Sequence, residues 1–311
     1  MRIFLFVLNG LGVGSLPDYS KYDKEYYCTS LNIKCIDDLT TLNKLGLKKC
    51  CLDLEAKNSL GYCFRGRSLS INTTFESGLN EILGNVTFNN SPKVENLVDV
   101  LKRHNVGVTF ISSRENSIAE HIYCDDKAVF DNTNSSNNKD SVVVAELNDF
   151  AKAGLIGDTE GMETAIKFAD KKIAEIISHL TYNDILILTG NFGVNPLKIG
   201  ITREYNPIFI LSKITRGNSV LKTIQGNDSI AMTIVNLLNI YPNSKSIVDD
   251  SFVEKMQNNG LYYKGDRIIG SIGKVKELKV PIARELKIKA KPMIKNKALK
   301  IIKVAIFDEF L

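Results

Sequence analysis

The sequence predicts an α/β fold: a doubly wound, mostly parallel sheet flanked by helices, with a small basic β-rich C-terminal extension. Three observations carry this. Short unbroken apolar runs recur along the chain, amphipathic helical stretches alternate with them, and the pattern changes to lysines alternating with aliphatic residues near the C-terminus. The 311 residues are 44% hydrophobic and 24% charged, which excludes a disordered chain and suffices for a sizeable core.

The first apolar run, Ile3–Leu8, ends at Asn9 before reaching signal-peptide or membrane-spanning length, so it reads as a buried first strand. Val106–Ile111, Val142–Leu147, Ile185–Leu188 and Ile208–Leu211 read as further interior strands. Between them, Val94–Arg103 and Gly161–Leu180 have helical periodicity, and Asp228–Leu238 opens with Asp228 as an N-cap. No stretch approaches the roughly 20 apolar residues of a membrane span, and the expected location is the cytoplasm. Residues 131–140, DNTNSSNNKD, read as a mobile loop.

Cysteines at 28, 35, 50, 51, 63 and 124 contain no C-x-x-C pair, so reduced, mostly buried thiols are expected, with a reactive cysteine as the alternative. The net charge of +5 is uneven. Residues 261–311 hold 13 Lys and Arg against 5 Asp and Glu, leaving −3 for residues 1–260. Nucleic-acid or anionic-surface binding is therefore arguable only for 261–311, where no aromatic residues interleave the lysines, and solvated strand faces are the plainer reading. The expected division is a core at 1–248 and an extension at 249–311.

In a doubly wound sheet, chemistry sits beyond the carboxyl ends of the strands. Leu8-Asn9-Gly10-Leu11-Gly12-Val13-Gly14, Gly190-Asn191-Phe192-Gly193 and Gly200-Ile201-Thr202-Arg203-Glu204-Tyr205 lie there. The glycine pattern after strand one is not a dinucleotide fingerprint, because its third spacing fails. These three segments resemble the L-D-x-x-G-x-G, A-D-H-G and D-H-T-R-E-Y motifs of phosphopentomutases. That family, in the alkaline phosphatase superfamily, moves phosphate between C1 and C5 of ribose or deoxyribose with two manganese ions. Asp158-Thr159-Glu160-Gly161 is similar to the family's R-D-x-E-G, and Gly78-Leu79-Asn80-Glu81-Ile82 to its G-H-W-E-I. Leu39–Leu47 and Gly226–Leu238 extend the resemblance to about residues 1–245.

The resemblance implies an alkaline-phosphatase-like core whose site has degenerated. At the family's metal ligands stand Asn9, Phe150, Leu155, Asn191, Phe192 and Ile201, none able to serve as a carboxylate or imidazole. Phe75 occupies the position of the phosphorylated threonine and Ser77 that of the second, with Thr73 or Thr74 available if the register slips. Only about ten residues separate Gly84 from Val94, where the family inserts a cap domain. Gly12, Gly78, Glu81, Asp158, Glu160, Gly161, Gly193, Thr202, Arg203 and Glu204 match retained scaffold, with Arg203 and Glu204 expected to pair and hold their loop.

The acidic pairs Asp125-Asp126, Asp249-Asp250 and Asp308-Glu309 read as solvated carboxylates, and His104, His121 and His179 as unrelated to a site. The expectation is an inactive phosphopentomutase-like protein without metal cofactor, serving as a binding or assembly subunit through a protein partner or self-association. The alternatives are a phosphosugar binder or residual phosphotransferase or isomerase on ribose phosphates, and a nucleic-acid or anionic-surface binder acting through 261–311.

Overall fold

The computed structural model describes residues 1–52, 54, 59–84, 96–112, 121–123, 125–134, 141–214, 222–241, 246–257, 262–264 and 267–270. The chain packs as two compact units, Met1–Asp250 and Ser251–Leu311.

The strands of the first unit are β1 (Arg2–Asn9), β2 (Tyr62–Arg67), β3 (Gly107–Ser112), β4 (His121–Tyr123), β5 (Ser141–Leu147), β6 (Asp184–Asn191), β7 (Gly193–Asn195), β8 (Gly200–Thr202), β9 (Asn206–Leu211) and β10 (Lys222–Gln225). Its helices are α1 (Thr40–Leu45), α2 (Leu47–Leu52), α3 (Phe75–Ile82), α4 (Leu97–Arg103), α5 (Asp126–Asn134), α6 (Asp149–Leu155), α7 (Thr159–His179) and α8 (Ser229–Leu237). Helix α9 (Asp250–Gln257) crosses into the second unit, where β11 (Tyr262–Lys264) and β12 (Arg267–Gly270) form an antiparallel hairpin.

Among the described residues the main sheet has eight strands in the order β10-β2-β9-β6-β1-β5-β3-β4. All neighbours are parallel except where β9 runs antiparallel between β6 and β2. The fold is thus mixed α/β with a mostly parallel sheet. Strand β1 lies at its centre, with β5 and β6 buried along their whole length, as expected when helices cover both faces. Helix α7 buries Met162, Ile166, Ala169, Ile173 and Ile176 at alternating spacings of four and three, the period of one helix face. Asp158 caps it, its Oδ1 accepting the Gly161 N–H at 2.8 Å.

The runs read as strands are strands, within one to three residues at each end. Strand β2, YCFRGR, has no unbroken apolar run and escapes that reading, although it sits inside the sheet beside β9. One expectation is corrected. Residues 131–134 are not loop but the last turn of α5, because Val129 and Phe130 bury and the helix continues past them. Residues 135–140, Cys124, the junction around 85–95, and 271–311 with Asp308-Glu309 lie outside the described residues.

Candidate functional site

Because β1, β5 and β6 run parallel, their carboxyl ends open at the same edge of the sheet. Asn9 ends β1 and is in register with Asn191 at the end of β6. Both are fully buried. Asn191 Nδ2 donates to Asn9 Oδ1 at 2.9 Å and to the Phe75 carbonyl at 2.7 Å, tying β6 to the first residue of α3. Asn9 Nδ2 in turn donates to Glu146 Oε1 at 2.7 Å and to Asn148 Oδ1 at 3.3 Å. Ser112 Oγ donates to the other Glu146 oxygen at 2.8 Å. A directed chain of hydrogen bonds therefore runs from Asn191 through Asn9 into one buried carboxylate.

Asn191 Oδ1 has no hydrogen-bond partner among the described residues. It lies over Gly78, where an added Cβ would stand 1.8 Å from it. A glycine there lets α3 approach the strand end this closely.

The other positions at which the resemblance places metal ligands, and Phe75 at the nucleophile position, are apolar in kind and in surroundings. Phe75, Phe150 and Phe192 are buried in the hydrophobic core cluster, and Leu155 and Ile201 pack against it. Phe192 keeps a left-handed backbone, φ 55°, which costs a non-glycine residue about 1–2 kcal/mol. Its N–H is held by Asn206 Oδ1 at 2.8 Å, so the turn after β6 is tied to the first residue of β9. Ser77 belongs to a capping box with Thr74: its Oγ accepts the Thr74 N–H at 3.3 Å and lies 2.7 Å from the Asn72 carbonyl, to which it donates.

The scaffold residues hold the strand-end loops. Glu81 Oε1 and Oε2 accept the N–H groups of Leu69, Ser70 and Asn227 and the Ser68 hydroxyl, joining α3 to the ends of β2 and β10. Glu204 is fully buried and accepts from Thr202 Oγ1 (2.5 Å), Thr29 Oγ1 (2.6 Å), Thr29 N (2.9 Å) and Gly14 N (3.0 Å). Gly12 and Gly193 flank it so closely that a Cβ on either would collide with its carboxylate. Burial pushes the Glu204 carboxyl above its ordinary value, against the pull of these donors. Glu160 is exposed in the first turn of α7.

Two expectations are corrected here. Arg203 does not pair with Glu204. Its Nε lies 3.1 Å from both Asp18 oxygens, its Nη1 donates to the Ser70 carbonyl at 2.7 Å, and its guanidinium stacks on Tyr22. Consecutive residues in extended backbone point to opposite sides, so Arg203 and Glu204 serve different loops. Nor are Asp125 and Asp126 both solvated: Asp126 is buried and accepts the N–H groups of Asn148 (2.9 Å) and Asp149 (3.2 Å).

Sequence reasoning missed Glu146, Ser112 and Asn148. The available signal was a lone glutamate inside the run VVVAEL, which a strand buried on both faces admits only with hydrogen-bond partners. His104 and His179 are exposed, and the side chain of His121 lies outside the described residues. Among the described residues no three His, Cys, Asp or Glu side chains converge as a metal site, and no helix is long and apolar enough to cross a membrane.

A family model described as the metalloenzyme superfamily matches residues 1–242. The phosphopentomutase of Clostridium kluyveri is 33% identical over 121 residues, covering 38% of this chain and 31% of its own length. That of Alkaliphilus metalliredigens is 36% identical over 102 residues, 32% of this chain and 26% of its own. The phosphopentomutase of Alkaliphilus oremlandii is 28% identical over 172 residues, 51% of this chain and 43% of its own. The matched region thus spans less than half the length of these curated relatives. Among solved structures, an alkaline phosphatase superfamily protein from Vibrio parahaemolyticus aligns with TM-score 0.49 at 9% identity, over 76% of this chain and 66% of that one.

Proposed function

The chain belongs to the metalloenzyme superfamily, as a phosphopentomutase-like member, and we propose that it is a non-catalytic one, acting as a binding or assembly subunit. The observation that carries this reading is the hydrogen bond between Asn9 and Asn191. Two facing carboxylates are acceptors only and need a cation or a proton between them, whereas two amides offer donor and acceptor and close directly on each other. The donor set does not fit a pair of manganese ions, which take carboxylate, carbonyl and water oxygens: of the aligned positions only Asn191 Oδ1 offers an unengaged oxygen. The amide oxygen of Asn9 is already engaged, and Phe150, Leu155, Phe192 and Ile201 supply no donor atom.

The nucleophile position supports the same reading. Phe75 has no atom to phosphorylate, and the Ser77 hydroxyl is committed to the start of α3. A binding role is supported by aliphatic side chains left in water at one corner: Ile156 is 74% exposed, Leu197 85% and Ile199 61%. Ile199 approaches Gly157, next to Ile156.

The test is a calorimetric titration of chelator-stripped protein with Mn²⁺, then Zn²⁺, beside an assay of ribose 1-phosphate conversion to ribose 5-phosphate against a boiled control. The expected result is no saturable micromolar binding and no turnover above the control. Binding near two equivalents with manganese-dependent turnover would overturn the proposal.

A further inference from the structure

We propose that Cys50 and Cys63 are a redox pair that closes to a disulfide and straps α2 to β2. The two sulfurs lie 3.3 Å apart, and both residues are fully buried. Cys50 is the fourth residue of α2, and Cys63 the second of β2. Their contact depends on Gly46, which is left-handed at φ 117° and lacks a side chain where a Cβ would stand 2.7 Å from the Cys63 sulfur. The other polar contacts of the two thiols are long, 3.6 Å from Cys50 to the Phe64 carbonyl and 3.8 Å from Cys63 to the Gly46 carbonyl. The adjacent Cys51 is engaged elsewhere, its thiol hydrogen-bonded to Cys28, so the consecutive cysteines of α2 address different partners.

Burial first, then the neighbouring Cys63, holds the Cys50 thiol well above its ordinary value, so the closed fold contains little thiolate. Oxidation therefore proceeds when α2, six residues long, opens from the sheet. In the opened state one cysteine thiolate attacks a low-molecular-weight disulfide such as glutathione disulfide, forming a mixed disulfide and expelling one glutathione thiolate. The second cysteine, as thiolate, attacks the protein sulfur of the mixed disulfide, the Cys50–Cys63 bond forms, and the second glutathione thiolate leaves. The two protons lost by the cysteines go to the two glutathiones. The protein dithiol is oxidised by two electrons, and one glutathione disulfide is reduced to two thiols.

The experiment uses the full chain in glutathione buffers from fully reduced to fully oxidised, quenched with an alkylating agent and mapped by mass spectrometry. The expected result is a peptide linked through Cys50 and Cys63, formed faster in low urea. A melting temperature about 5–10 °C higher than that of the reduced protein accompanies it, and dithiothreitol reverses both changes. Cys50→Ala and Cys63→Ala each abolish the linked peptide, and mapping of the unmodified chain decides the matter if a variant does not fold. Complete alkylation of both thiols at the oxidising end, only mixed glutathione adducts, linkage of either cysteine to Cys28 or Cys51, or a bridge without a rise in melting temperature would each overturn the proposal.

Discussion

Asn191 and Asn9 lie in register at the carboxyl ends of two parallel strands, and the amide of the first donates to the amide oxygen of the second at 2.9 Å. The link continues through Asn9 to Glu146, so the centre of the sheet edge holds one buried carboxylate satisfied by an amide and a serine hydroxyl.

Asn9→Asp replaces the donor facing Glu146 with a second carboxylate at about the same separation. Like charges at this distance cannot both ionise without cost. One carboxyl of the pair is then raised in the folded state, so its stabilising proton is held at low pH and lost as pH rises through that raised value. The variant is expected to lose about 2 kcal/mol at pH 7 and clearly less at pH 5, read by urea unfolding. An unchanged midpoint at pH 7 would count against the hydrogen-bond chain.

Gly78→Ala sets two effects against each other. Alanine favours a helix by about 1 kcal/mol over glycine, but the added methyl would collide with Asn191 Oδ1. Overpacking of this kind costs about 1–3 kcal/mol, and on the 1.8 Å contact the collision is expected to win. A double-mutant cycle with Asn191→Ala, which removes the oxygen, should then show a coupling of about 1 kcal/mol or more. A stabilising single mutant would show that α3 shifts freely.

The Glu204 carboxyl is raised in the folded state by burial, so the native chain binds its proton more tightly than the unfolded chain does. Its contribution to stability is full below the unfolded glutamate value and declines as pH rises toward the raised folded value. Glu204→Gln has no such proton. Subtracting its unfolding free energy from that of the wild type across pH 4–7 should leave a difference that falls with pH, and a flat difference would refute the assignment.

At the other end of the sheet Arg2 grips Asp184 with two hydrogen bonds, Nε to Oδ1 at 2.8 Å and Nη2 to Oδ2 at 2.7 Å. Burial acts to raise the Asp184 carboxyl, but hydrogen bonds from Arg2 and Thr181 together outweigh it and hold the group below its ordinary value. The stability this contributes is present above the unfolded aspartate value and is lost as pH falls through the lower folded one. Arg2→Ala should cost about 1–3 kcal/mol near neutrality and move the acid-unfolding midpoint upward, as followed by circular dichroism. An unmoved midpoint would show the pair to be dispensable.

Local pattern made much of the fold legible. Strands β1, β3, β5, β6 and β9 are near-continuous apolar runs because helices cover the sheet on both faces, and α7 is periodic because one of its faces does the covering. Strand β2 carries two arginines and a glycine, and Arg65 stacks on Tyr205, a tertiary contact that composition does not announce. The helices α1 and α2, six residues each, are too short for periodicity to declare. Part of α1 depends on a distant residue: Asp170 of α7 accepts the N–H groups of Thr41 and Leu42.

The sequence by itself determined the fold class, the family, and that Asn9, Asn191 and Phe192 follow the apolar strand runs, because these are properties of residue type and order. Only the tertiary structure decided what these residues do. Asn9 and Asn191 are 182 positions apart and meet through strand register. Glu146 becomes their terminus because β5 pairs with β1, and Arg203 turns to Asp18 while its neighbour Glu204 turns to Thr29. Hydrogen bonds between side chains are short and directional, so partners far apart in the chain are chosen only once packing has fixed where each backbone lies.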